Sequence, residues 1–525
     1  MISGGRHRKP LWVILVIIAV IVAGGLEAGV HAAGPYLKRR ALRIIGEKFH
    51  ADVDIKDFDV HVFPRVSLHG RGLSIREVGR TDVPPLIAIG EFSASANGLG
   101  LIAKPWNISN VQLNDLVITI SPRPKGAKKQ GRDWSKVKDV PVLIEHLNAD
   151  NAQLIIVPRD PSKSSHVFAI HHLAMHYVGL HRAASFVAQL TNPTPPGNID
   201  AQGSFGPWQA DDPAETPLSA DYSFLNADLG VFHGIRGILS SHGKFGGVLN
   251  EINVEGETDT PDFALKEADH PVALHTNFSA TVDGTNGNTL LHPVIAHFLN
   301  STVIANGEVA KKNKEAPGRE VLLDVTIQQG TIQDMLHLAV KAHQALMTGP
   351  LRMHTKFDLP PGKGDVMDRL KLSGSFSVPG GKFTSEKVNQ KLLSLSRHGE
   401  GKPDDKNAGS DVSNLSSHFA LGDGVVSLSR LNFSVPGADV QLNGDYGLQD
   451  EKLDFHGRLR MQAKLSQTVT GFKSLLLKPV DPFFRKNGKT EIPIKITGTR
   501  KEPSFGLDFG HKDSAERKDA DSARP

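Results

Sequence analysis

Between Leu351 and Phe509 the apolar residues recur at every second position, stretch after stretch. Leu351, Met353, Phe357 and Leu359 share one parity, as do Leu372, Phe376 and Val378, then Leu431, Phe433 and Val435. Val440, Leu442 and Tyr446 follow, then Leu453, Phe455, Leu459 and Met461, and finally Ile492, Ile494 and Ile496. Successive side chains of a strand point to opposite faces, so this period builds a sheet with one apolar and one polar face. Short turn signals separate the runs: Val435-Pro436-Gly437, Asn443-Gly444 and Gly422-Asp423-Gly424. They predict tight connections and antiparallel neighbours. A long antiparallel meander is expected, and function turns on what its apolar face touches.

The same pattern runs upstream, from Val53 and Ile55 through Leu73 and Ile75, Ile118 and Ile120, and Leu154 and Ile156 to Val272 and Leu274. Asp52, Asp54, Asp57 and Asp59 lack the glycine and spacing of a calcium loop and read as the wet face of early strands. Four short amphipathic helices are predicted at Thr289–Leu299, Thr331–Gln344, Ser385–Ser396 and Leu465–Leu477. Too few to cover such a sheet, they leave its apolar face to meet a second sheet or something else apolar.

The N-terminus has a different character. Arg6, Arg8 and Lys9 precede a 16-residue uncharged run, Leu11 to Leu26, which small residues extend to Ala33. About 20 apolar residues span a bilayer core, and positive charge before the segment places the N-terminus in the cytoplasm. An uncleaved anchor and a signal peptide cut after Val30-His31-Ala32 both fit; in either case the body is exported. Pro35 to Phe49 then reads as a basic amphipathic helix, capping the sheet or lying at the headgroups.

No chemistry announces itself. The chain has no cysteine, which excludes thiol catalysis and cysteine-held metals. A formal charge of +4 over 525 residues gives no argument for nucleic acid. No nucleophile elbow or zinc-protease motif occurs. Gly488-Lys489-Thr490 resembles the end of a phosphate loop, but Phe483 stands where its first glycine belongs. His171, His172 and His176 form the densest histidine group, and a polar strand face explains them better than a metal. No enzyme activity, cofactor or metal is expected.

Three sections carry a family resemblance. The first is the anchor, the basic helix and Val53-Asp54-Ile55 through Phe63-Pro64 to Val66-Ser67-Leu68-His69-Gly70. The second is Gly234-Ile235-Arg236-Gly237-Ile238-Leu239 with Thr260-Pro261-Asp262-Phe263. The third is Leu370-Lys371-Leu372-Ser373-Gly374-Ser375-Phe376 with Ile492-Pro493-Ile494-Lys495-Ile496 before Pro503-Ser504-Phe505. In these the chain resembles the AsmA-like family, of the AsmA/TamB superfamily of bacterial envelope proteins. The motifs are strand-turn patterns, not catalytic signatures.

The resemblance implies a mainly β protein with a few short helices. An N-terminal transmembrane helix would be followed by an elongated, curled antiparallel β-sheet forming an open apolar groove, similar in plan to chorein-type lipid-transfer proteins. A closed sandwich is the competing architecture. The expected organisation is a cytoplasmic N-terminus (1–10), anchor (11–33), helix and first strands (34–120), basic loop (121–140), central section (141–350), C-terminal section (351–509) and charged tail (510–525). It implies a bacterial inner-membrane protein, single-pass, with its body in the periplasm. The expected partners are phospholipids and the inner membrane, carried or bound without catalysis. The alternative is a scaffold that assists outer-membrane protein assembly, with outer-membrane or periplasmic proteins as partners. Groove-lining candidates are Leu351, Met353, Phe357, Leu372, Phe376, Phe433, Leu442, Phe455, Leu459 and Ile494. N-terminal sequencing of the membrane-extracted protein should find residues 11–33 retained; a mature start near Ala33 contradicts the anchor.

Overall fold

A computed structural model supplies the fold. It describes residues 51–508, apart from 62–64, 78–82, 98–105, 121–141, 158–164, 180, 208, 210–211, 267, 312–317, 342–343, 363–365, 406–411, 469–477 and 501. The expected anchor, basic helix, basic loop and charged tail therefore lie outside the described residues. What is described is mainly β-strand in a mixed sheet, as the period-two pattern requires. The chain divides into two compact units. One takes residues up to 232 with 236–261 and 275–290; the other takes 233–235, 262–274 and 291 onward.

In the first unit neighbouring strands pair in chain order from Val66–Glu77 to Glu251–Leu265, skipping only the two-residue Ile235–Arg236, and Ala51–Asp54 and Asp57–His61 both pair with Val66–Glu77. One pairing corrects the all-antiparallel expectation: Trp106–Ile120 and Val142–Ile156 run parallel. Parallel neighbours need a crossover instead of a tight turn. The four early aspartates are exposed, as their strand-face reading requires.

Inside this unit the inward parity switches partway along several strands at once. Leu68 and Leu73 both point inward although they differ in parity, as do Phe92 and Ile89, Leu113 and Leu116, and Ala149 and Ala152. The switches align across the sheet at Gly72, Gly90, Asp115 and Asn151, three of them with positive φ. Asn151 donates to the Asp115 carboxylate across the parallel pair, tying two switches together. The result is a dry core in which Leu68, Ile75, Ile87, Ile108, Leu113 and Ile144 are fully buried.

The second unit keeps a simpler order. Ser301–Ala310, Glu320–Thr331, Pro350–Leu359, Lys371–Val378, Ser413–Gly422, Val425–Val435, Ala438–Gly447, Lys452–Met461, Lys489–Thr499 and Pro503–Leu507 pair antiparallel, each with the next. Two of the four expected helices form, at Ile332–Ala339 and Glu386–Glu400. The first is capped by Thr331, whose hydroxyl accepts from the Asp334 amide. Thr289–Leu299 is corrected to a strand, Thr289–Phe298; its apolar residues suit either period, and β-branched Val294 and Ile295 favour extension. Leu465–Leu477 begins as a 3-10 turn, Leu465–Thr468, and the rest lies outside the described residues.

Asn443-Gly444 is corrected from a turn to the interior of strand Ala438–Gly447, where glycine sets how closely the last strands approach. A Cβ on Gly457 would lie 1.9 Å from the Gln441 carbonyl oxygen, and one on Gly444 would lie 2.1 Å from that of Asp454. Leu442 is the register partner of Gly457, and Phe455 that of Gly444. Each glycine lets the two backbones approach more closely than a Cβ would allow. Gly457→Ala should cost about 1–3 kcal/mol, as forced overpacking does. Gly422→Ala, where the added methyl meets open space, should cost far less; equal thermal stability of the two variants would contradict this packing.

Candidate functional site

The register of the second unit puts all ten sequence-selected residues on one face. Met353 pairs with Phe376 and Phe357 with Leu372. Phe376 and Leu372 continue to Ser417 and Leu421, and Leu421 leads to Val426. Beyond a bulge in Val425–Val435, Phe433 pairs with Val440, which pairs with Leu459, which pairs with Ile492. Leu442 and Phe455 alternate with the two glycines, and Ile494 faces Gly457 on one side and Leu507 on the other. Leu351 lies two residues before Met353, and so on the same face.

Their burial is uneven. Leu351, Leu442 and Phe455 are buried, at 2%, 2% and 6% exposure; the other seven are half-buried. Helix Glu386–Glu400 accounts for part of the cover, because Leu392 and Leu395 pack against Val435, Ala438, Phe433 and Leu459. Helix Ile332–Ala339 does the same for Leu351 and Met353 through Met335 and Leu336. At the far edge Phe505 and Leu507 extend the apolar face yet remain 53% and 52% exposed. Lys391 sits 4.1 Å above the Phe505 ring.

The opposite face is polar, and on the last strands its charges are matched. Arg458 and Arg460 share Glu491, and Lys489 reaches Asp439 at 2.9 Å. That lysine, together with the Ser434 hydroxyl, holds the Asp439 carboxyl below its ordinary range. His456 bridges Asp508 (Nδ1 to Oδ2, 2.6 Å) and Asp454 (Nε2 to Oδ1, 3.0 Å). The Asp508 hydrogen bond, reinforced by Asp454, raises the His456 pKa against a smaller opposing effect of burial.

Where the sequence suggested other chemistry, the geometry disperses it. His171 meets the Thr191 hydroxyl and His172 the Asp150 carboxylate, while His176 meets His146, 30 residues away. The three histidines do not converge, and among the described residues no group of three or more metal-ligating side chains is found. Gly488-Lys489-Thr490 belongs to a hairpin: Asn487 and Gly488 turn it at positive φ, and the Thr490 hydroxyl donates to the Ala463 carbonyl. That is strand pairing, not a phosphate loop. Among the described residues no helix is long and apolar enough to cross a membrane. No protein family, curated protein or solved structure matches the chain.

The His456 bridge makes the edge strand pH-sensitive. A histidine whose folded pKa is raised contributes its stability in full below the unfolded value, near 6.5, and loses it as pH rises through the folded value. Amide exchange in Pro503–Leu507, corrected for its intrinsic pH dependence, should therefore quicken as pH rises above about 6.5. His456→Gln should abolish that trend; a variant that keeps it would contradict the bridge.

Proposed function

We propose that this is a membrane-anchored periplasmic protein of the AsmA-like kind. In this reading it binds phospholipid acyl chains along the apolar face of its second unit and passes them between inner and outer membrane. The observation that carries the reading is one apolar face kept through ten strands, with Met353, Phe357, Leu372 and Phe376 half-buried and Phe505 and Leu507 more than half exposed. Each acyl methylene moved from water onto such a surface contributes ~0.8 kcal/mol. Shape and apolar area suffice for holding a chain, and no transition state has to be stabilised.

The scaffold reading has one observation in its favour. Pro503–Leu507 pairs on one side only among the described residues, and all five of its residues are exposed. A free edge offers main-chain hydrogen bonds to an incoming strand of another protein. It explains the exposed edge but gives no use to the apolar row at Met353 and Phe376, so lipid binding is preferred.

A charge at a half-buried position of the face discriminates better than one in the dry part. Leu442→Asp and Phe455→Asp should each destabilise strongly, because an unpaired buried charge is costly whatever the face binds. Phe376→Asp and Phe357→Asp should keep most of the melting temperature and lose most of the lipid found by mass spectrometry after detergent purification. Lipid content unchanged by both, in folded protein, would sink the proposal.

A further inference from the structure

The wet face of the second unit holds a recess of about 770 Å³. The lipid reading makes no use of its polar groups. Two polar cross-strand rows line it, His354, Ser375 and His418 in one and Arg352, Ser377, Ser416 and Asn432 in the next, with Ile327, Met353 and Phe376 of the alternate parity also bordering it. Its walls coincide with interruptions of the ladder. Register shifts fall between Ile327 and Gly330, around Ser416, and between Leu428 and Leu431. Bulges bend a sheet and re-aim side chains. Arg430, at positive φ within the last of these, lines the recess.

The charge balance of the lining is one-sided. It contains Arg352, Arg430, His354 and His418, and no aspartate or glutamate. Asp324 lies just outside and is engaged by His354 at 2.9 Å. Several other arginines have partners: Arg458 and Arg460 share Glu491, Arg500 meets Glu451 and Arg71 meets Glu91, while Arg76 and Arg485 donate to backbone carbonyls. Arg352 and Arg430 have no side-chain partner among the described residues, and neither do the hydroxyls of Ser375, Ser377 and Ser416 or the Asn432 amide. Two unmatched guanidiniums beside a row of unmatched hydroxyls and an amide make a donor-rich surface with no counter-charge.

We propose that this recess binds a phosphorylated polyol. Guanidinium groups match phosphate oxygens in a two-pronged geometry that a point charge lacks. Serine hydroxyls and a carboxamide both donate and accept, which suits ligand hydroxyls. The volume falls within the roughly 300–1,000 Å³ of small-molecule sites and far exceeds what a bare phosphate fills. The ligand is a soluble phosphosugar or phosphoglycerol, or the same chemistry carried on a lipid headgroup. Its polar groups have the opposite strand parity to the apolar row, although Met353 and Phe376 of that row also border the recess. R352Q/R430Q leaves both in place, so loss of phosphate binding with acyl lipid retained separates the two readings.

The test uses the full chain in a neutral detergent. One arm titrates glycerol 3-phosphate, with glycerol as control, and reads ³¹P line width and calorimetry. The other compares micelles doped with phosphatidylglycerol against phosphatidylcholine. Glycerol 3-phosphate or phosphatidylglycerol should bind where its control does not, and R352Q/R430Q should weaken that binding at least tenfold. The arm that responds identifies the source of the phosphate. Should the double variant melt early, R352Q and R430Q singly should each weaken binding at least threefold. Absence of binding in both arms overturns the proposal. So does binding that survives the substitutions, because it then belongs to another surface.

Discussion

Cross-strand register is the constraint on which the second unit depends. A strand's side chains alternate with a period of two, so a slip of one residue in any strand would send its apolar set to the wet face. Ten neighbouring strands avoid this. Where the ladder is interrupted, as between Leu428 and Leu431, the extra backbone is absorbed at a bulge and the apolar residues on both sides return to the same face. Glycines make the arrangement tolerable at its tightest point. Gly457 and Gly444, opposite the buried Leu442 and Phe455, let the strand backbones approach closely.

The two units use the same alternation to different ends. In the first, the inward residues of the strands from Val66–Glu77 to Val142–Ile156 close into a dry core, and aligned conformational switches at Gly72, Asp115 and Asn151 let these strands change parity together. In the second, two helices cover only part of the apolar face, and the row from Met353 through Phe376 to Leu372 stays half-buried. A core of the first kind contributes stability and little else. A face of the second kind has apolar area left to give to a ligand, at about 25 cal/mol for every Å² removed from water.

Much of this was legible in the sequence. The period-two runs predicted the strands, their faces and the shared face of the ten candidate residues. The helices at Ile332–Ala339 and Glu386–Glu400 were visible as 3.6-residue periods. Three features were not legible, each for a physical reason. The parallel pair Trp106–Ile120 and Val142–Ile156 depends on a long-range pairing choice that a local pattern does not encode. The parity switches look like the end of one strand and the start of another, as between Leu68 and Leu73. The recess around Arg352 and Arg430 joins residues from separate strands and becomes visible only once register is known. Likewise, nothing local pairs His176 with His146 or His456 with Asp508.

The central claim is that acyl chains lie along one face of the second unit and not along the other. Site-specific photocrosslinking tests it most directly. A photoreactive phenylalanine analogue would be placed at Phe357 and Phe376 on the apolar face and at Lys356 and Ser373 on the wet one, and the protein irradiated in cells. Lipid adducts at Phe357 and Phe376, with none at Lys356 and Ser373, are the predicted result. Adducts of equal yield on both faces, or on neither, would contradict the account.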